Sequence, residues 1–146
     1  MTPLIRPRPV QGIYEKPFWD AVQRRELRLQ RCRSCAHVWY PPGPVCPQCL
    51  SGEWSFEPMT GRGRVVAWTV FHRAYFPELP TPYLVVSVEL EEGPLLIGNL
   101  PGVDPAAMRL DLPVRATFEV ARLKPDARAG SGGGDTDWLI LQWEPA

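Results

Sequence analysis

The chain reads as mainly β: an N-terminal helix, a metal-bound ribbon, then a five-stranded OB-fold barrel with one short helix. Three observations in its 146 residues carry that reading. All four cysteines stand in two tight pairs, Cys32-x2-Cys35 and Cys46-x2-Cys49, with ten residues between the pairs. From Trp54 onward the apolar residues recur with a period of two, the spacing of strands with one buried face. Asp104-Pro105, an N-cap followed by a first-turn proline, places a short helix between the third and fourth of those strands. Three strands, a helix and two strands is the order of an OB-fold, although other small barrels share parts of the pattern.

The elements follow in chain order. Residues 1–12 carry Pro3, Pro7 and Pro9 and read as an extended or mobile segment. Pro17 suits the first turn of a helix, on which Phe18, Trp19 and Val22 share one face, with Arg24, Arg25 and Glu26 on the polar side. Leu27 and Leu29 alternate with Arg28 and Gln30, predicting a strand into the first cysteine pair. Val38-Trp39-Tyr40 is the returning strand, and Pro41-Pro42-Gly43-Pro44 turns the chain toward the second pair. Two such pairs on facing turns can surround one tetrahedral Zn²⁺. A rubredoxin-like iron site would use the same ligands. Two disulfides are disfavoured, because no secretory segment opens the sequence. With four thiolates the site is closed, so its role is structural and it would hold together a module too small to have its own core.

In the barrel, Gly61-Arg62-Gly63 opens a strand running to His72, its glycines suited to a bulge or sharp bend. Leu84, Val86, Val88 and Leu90 form the apolar face of the second strand, and Glu92-Gly93 turns into Leu95-Leu96-Ile97. Ala106–Leu110 is the short helix, Val114, Ala116, Phe118 and Val120 mark the fourth strand, and Trp138–Trp143 is the last. The segment 125–136, Gly-rich over 130–134, reads as a flexible loop. The resulting division is 1–26 (extended segment and helix), 27–54 (ribbon) and 55–146 (barrel).

Composition narrows the function. The formal net charge is zero, but residues 1–55 hold eight Arg/Lys against four Asp/Glu, and residues 56–146 hold eight against twelve. A nucleic-acid binder presents a broad positive field, and the larger part of this chain has the opposite sign. No window approaches a membrane span, and the expected location is cytoplasmic.

The ordered series Phe18-Trp19-Asp20-Ala21, Cys32-Arg33-Ser34-Cys35, Tyr40-Pro41-Pro42, Cys46-Pro47-Gln48-Cys49, Gly61-Arg62-Gly63 and Thr81-Pro82-Tyr83 continues with Glu91-Glu92-Gly93-Pro94 and Asn99-Leu100. Over about residues 14–123 the chain resembles the zinc-ribbon/OB-fold family associated with acyl-CoA metabolism, long labelled domain of unknown function thirty-five. That resemblance implies an N-terminal helix, a rubredoxin-like zinc ribbon and an OB domain. It also implies an accessory subunit for a thiolase-like, hydratase or aldolase partner, one that helps bind a CoA thioester or organises the complex. Ala36 and Leu50 depart from the pattern, standing where zinc ribbons often place Gly after the second cysteine of a pair.

The residues themselves speak against independent catalysis. Covalent acyl transfer needs an activated nucleophile and a base within reach, and every thiol is committed to the metal. His37 belongs to the zinc hairpin, which leaves His72, beside Arg73 and Tyr75, as the one candidate for proton transfer. No nucleophile elbow, phosphate loop or dinucleotide fingerprint is present. Binding has more support. Residues 74–83 join the first two barrel strands, where OB-folds commonly hold ligands. Tyr75, Phe76 and Tyr83, stiffened by Pro77, Pro80 and Pro82, would form an apolar surface for an acyl or pantetheine chain or a partner. Arg24 and Arg28, with Arg25, Arg31 and Arg33, are candidates for CoA phosphates, and Phe18 and Trp19 are candidates for docking on a partner or on the barrel. Two alternatives stand beside the accessory-subunit reading: a single-stranded nucleic-acid binder, and a stand-alone enzyme using His72.

Overall fold

The computed structural model describes residues 3–124 and 137–146; the segment read as a flexible loop, 125–136, lies outside them. In chain order the elements are β1 (Leu4–Arg6), α1 (Glu15–Gln23), β2 (Arg28–Cys32), β3 (Val38–Trp39), β4 (Trp54–Pro58), β5 (Arg62–Phe71), β6 (Tyr83–Leu90) and β7 (Leu95–Asn99). A 3₁₀ turn (Pro105–Ala107), β8 (Pro113–Leu123) and β9 (Asp137–Pro145) complete them. The fold is mainly β, with one α-helix, a ribbon sheet of order β3-β2-β4 and a larger sheet of order β1-β8-β5-β6-β7, with β9 on β8.

The barrel strands β5 to β9 form as the period-two pattern predicts. In β6 the alternation is strict: Leu84, Val86, Val88 and Leu90 are buried while the residues between them are half-exposed. β5 is long enough to serve two neighbours. Its first residues pair with β8, its register on β6 shifts between Val65 and Ala67, and the rest continues along β6 alone. Gly63 makes this crossing possible, since a Cβ there would stand 2.5 Å from the carbonyl oxygen of Glu89. The barrel closes between β7 and β9 by side chains. The Gln142 Oε1 accepts from the Asn99 backbone N–H at 2.6 Å, and Trp143 lies fully buried against Gly98, where an added Cβ would stand 2.9 Å from the indole.

The helix packs Phe18, Ala21 and Val22 inward. Gln23 then treats β9 as a neighbouring strand would: its Nε2 donates to the Leu139 carbonyl and its Oε1 accepts from the Leu139 N–H, both at 2.9 Å. Gln30 in β2 does the same for the turn at Gly43, at 2.8 and 2.9 Å. One apolar core therefore runs from α1 through Leu27, Leu29 and Val38 of the ribbon into the barrel.

Three local expectations change. The proline-rich start is not merely extended: Leu4–Arg6 pairs in parallel with Ala121–Leu123, a strand too short to produce a period. The segment after Asp104 is a single 3₁₀ turn. Its cap forms as read, with Asp104 Oδ1 accepting from the Ala106 N–H at 2.8 Å, but Met108 returns to extended backbone. In β8, Val114 faces the core while Val120 is exposed and Ala121 and Leu123 are buried. The buried parity of the strand changes along its length, between Val114, where β5 is its neighbour, and Ala121–Leu123, where β1 is.

Candidate metal centre and binding surface

The two cysteine pairs sit on turns of the same design. The Ala36 N–H donates to the Cys32 carbonyl and the Cys32 N–H to the His37 carbonyl; the Leu50 N–H donates to Cys46 and the Cys46 N–H to Ser51, all at 2.8–3.0 Å. Each turn needs a left-handed residue just after its second cysteine, and Ala36 (φ 65°) and Leu50 (φ 63°) adopt that conformation without being glycine. The departures from the family pattern thus keep the knuckle geometry at the cost of backbone strain.

The sulfurs converge. Cys32 Sγ lies 3.6 Å from Cys49 Sγ, Cys35 Sγ lies 3.6 Å from Cys46 Sγ, and all four lie within 4.8 Å of one another. A tetrahedral ion with metal–sulfur bonds of about 2.3 Å needs sulfurs about 3.8 Å apart, so the arrangement fits one Zn²⁺. The charges agree. Burial resists ionisation of Cys32, yet the backbone N–H groups of Cys35 and Ser34 and the adjoining thiols bring its pKa down to about 6. At Cys35 the His37 N–H favours the thiolate, but burial and the three other sulfurs outweigh it and push the thiol up to about 12. Four thiolates this close require a cation. Cys32 and Cys46 are buried beside Trp39 and Trp54, while Cys35 and Cys49 face outward. His37 stacks on Trp39, 6.4 Å between ring centroids. This closed set of ligands holds metal for structure.

The second candidate surface lies at the far end of β5. Phe71 and Tyr83 stack in parallel at 5.2 Å, and Tyr75 meets Phe71 edge-on at 6.0 Å. Lys124 Nζ lies 5.6 Å from the Phe76 ring centre and 2.9 Å from Glu78. Tyr83 also walls an open cavity of about 250 Å³ whose sides are mostly leucine and proline. At its floor Arg6 binds Glu119 through two hydrogen bonds of 3.0 Å and Asn99 Oδ1 at 2.9 Å.

The predicted surface residues divide among these places. Tyr75 and Tyr83 come together through Phe71, and Phe76 lies on the same connection. His72 is exposed and has no hydrogen-bond or ring partner among the described residues. Of the two docking alternatives for Phe18 the partner is corrected: at 4% exposure, against Tyr40 and Trp19, it belongs to the core shared with the barrel. Trp19 is half-buried against that core. Arg24 and Arg28 both reach Glu26, at 3.7 and 2.8 Å, and the Arg28 guanidinium is the main cause that lowers the Glu26 pKa. Sequence reasoning missed Arg6, Glu119 and Gln142, and met Asn99 only as part of the family series. Gln142, polar between Leu141 and Trp143, carried a local signal.

Comparison with known proteins supports this architecture. The family model described as the ChsH2 rubredoxin-like zinc ribbon domain matches residues 19–55, and that described as the ChsH2 C-terminal OB-fold domain matches residues 56–119. A "DUF35 domain-containing scaffold protein" of Methanocaldococcus jannaschii is 31% identical over 115 residues, covering 77% of this chain and 80% of that protein. The chain belongs to the DUF35 family. A solved structure described as "Ltp2-ChsH2(DUF35) aldolase" superposes with a TM-score of 0.76 at 30% identity, covering 94% of this DUF35 chain and 98% of the other. The "Probable enoyl-CoA hydratase alpha subunit" of Thermomonospora curvata is 39% identical over 111 residues, 75% of this chain but 34% of that protein. The chain thus spans about a third of the length of that relative, and the match is to one part of it.

Proposed function

We propose that this chain is a non-catalytic accessory subunit that positions a CoA thioester and scaffolds a thiolase-like, hydratase or aldolase partner. The observation that carries the reading is the near end-to-end similarity to the DUF35 chain of an aldolase assembly. Relatives named as a hydratase subunit and as a scaffold protein point the same way. The chemistry on the page agrees. All four thiols converge on one metal site, and among the described residues His72 has no hydrogen-bond partner that would make it a base. Chemistry therefore falls to the partner, and this chain contributes orientation.

Within that reading the aromatic connection through Tyr75, Phe76 and Tyr83 carries the thioester chain. Arg24 and Arg28, already neutralised in part by Glu26, have less to offer phosphates than free arginines would. The subunit would work in the cytoplasm, where its thiols stay reduced and metal-bound.

Mild affinity purification of the tagged chain from its native cells, followed by mass spectrometry, tests the proposal. A near-stoichiometric thiolase-, hydratase- or aldolase-like enzyme is expected. Recovery of the chain alone, or with nucleic acid released steeply by salt, would overturn it.

A further inference from the structure

The cavity beside Tyr83 has features of a built site. Its apolar wall includes Leu79, Leu84 and Leu100, and four prolines (Pro80, Pro82, Pro101 and Pro105) stiffen its rim. A rim that is already rigid loses little conformational entropy when a ligand enters. Arg6, the one cation in the lining among the described residues, has a side chain only 13% exposed and held by Glu119, so it offers no net charge to a phosphate. Gln142 braces the same pair, donating to Glu119 at 3.2 Å and to Asn99 Oδ1 at 3.3 Å. The floor is polar but neutral, and the walls are apolar. Such a cavity selects an uncharged, mainly hydrocarbon group with room for one oxygen.

Size narrows the choice. An engineered cavity of about 150 Å³ accepts benzene, so about 250 Å³ suits a short, branched or singly ringed group and excludes a nucleotide. Tyr83, which lines the cavity, stacks on Phe71, and Phe71 meets the exposed Tyr75 edge-on, so the aromatic connection adjoins the cavity. We propose that this cavity receives the acyl end of the thioester, so that this chain, and not its partner alone, selects acyl groups by size. The proposal rests on the accessory-subunit reading. It is sharpened by the fact that Leu4 and Arg6, which close one side, lie outside the segments matched by the family models.

The test titrates the isotope-labelled, zinc-loaded chain with hexanoyl-CoA and with free CoA, followed by amide NMR. Burying methylenes at roughly fourfold in affinity each, hexanoyl-CoA should bind at least about tenfold more tightly than CoA. Its resonance shifts should centre on Leu100, Gly102 and Val103. Val103→Trp, which fills the cavity, should abolish that difference, whereas Val103→Ala should keep it and improve binding of cyclohexanecarbonyl-CoA. Equal affinity for hexanoyl-CoA and CoA, absence of hexanoyl-CoA binding, or an undiminished difference in a folded Val103→Trp would each overturn the proposal. These results are independent of co-purification. A partner recovered without a selective cavity sinks this inference alone, and a selective cavity without a partner sinks the scaffold reading alone.

Discussion

The ribbon and the barrel solve the same problem by different means. The barrel and helix share a continuous apolar core in which Val65, Val86, Val88, Val114 and Trp143 are wholly buried. The metal end of the ribbon has only Cys32, Trp39, Cys46 and the half-buried Trp54. So small a cluster cannot offset the entropy of ordering two long turns, and the four sulfurs supply what burial does not. The other end of the ribbon is different again: Leu27, Leu29 and Val38 are part of the common core. The metal thus orders the tip of a module whose base is held by packing.

Removing a ligand separates the two most strongly. Structural zinc contributes on the order of 10–16 kcal/mol in zinc-finger peptides, more than most domains have in net stability. Cys35→Ser is expected to abolish zinc binding and to unfold the metal end of the ribbon, leaving a chain that melts lower and aggregates, by metal analysis and thermal melting. Protection from hydrogen exchange should vanish first in the cysteine turns and last in β6. A well-folded, zinc-free variant would remove the structural role of the metal.

Gln142→Leu probes the barrel at its weakest seam. It removes the acceptor for the half-buried Asn99 N–H and the donor to Glu119, and leaving such a group unsatisfied costs at most about 1–3 kcal/mol. Stability should fall by that amount in denaturant melts with zinc content unchanged. Loss of zinc together with stability would mean that the two regions are one cooperative unit.

The contrast also explains what the sequence made legible. Metal ligation is written in spacing, and a half-buried strand in alternation, so the cysteines and β6 could be read without the structure. Residues that act across the barrel leave no such trace. Arg6 and Glu119 are 113 positions apart, and β1 is three residues long. Phe18 and Trp19 were legible as an apolar helix face, but which of them faced inward depended on Tyr40 and the ribbon base. The parity exchange in β8 was hidden for the same reason. Val120 looks like the next inward residue after Phe118, yet Ala121 and Leu123, where β1 pairs with the strand, are the buried ones.

The smallest expected effect concerns the knuckles, where the ribbon holds Ala36 and Leu50 in left-handed backbone, a conformation that the barrel gives mostly to glycine, with Asp111 the exception. Left-handed backbone costs a non-glycine residue about 1–2 kcal/mol, partly offset because glycine loses more entropy on folding. Ala36→Gly and Leu50→Gly should therefore each stabilise the chain by up to about 1 kcal/mol, a rise in Tm of about 2–4 °C for a protein of this size. Leu50 is 74% exposed, so its removal forfeits little packing and should show the gain most clearly. Zinc stoichiometry should not change, because the hydrogen bonds that shape each turn come from the backbone. If neither variant melts higher, the strain is relieved by the metal itself, and the difference between wild type and variants should then emerge only after chelation.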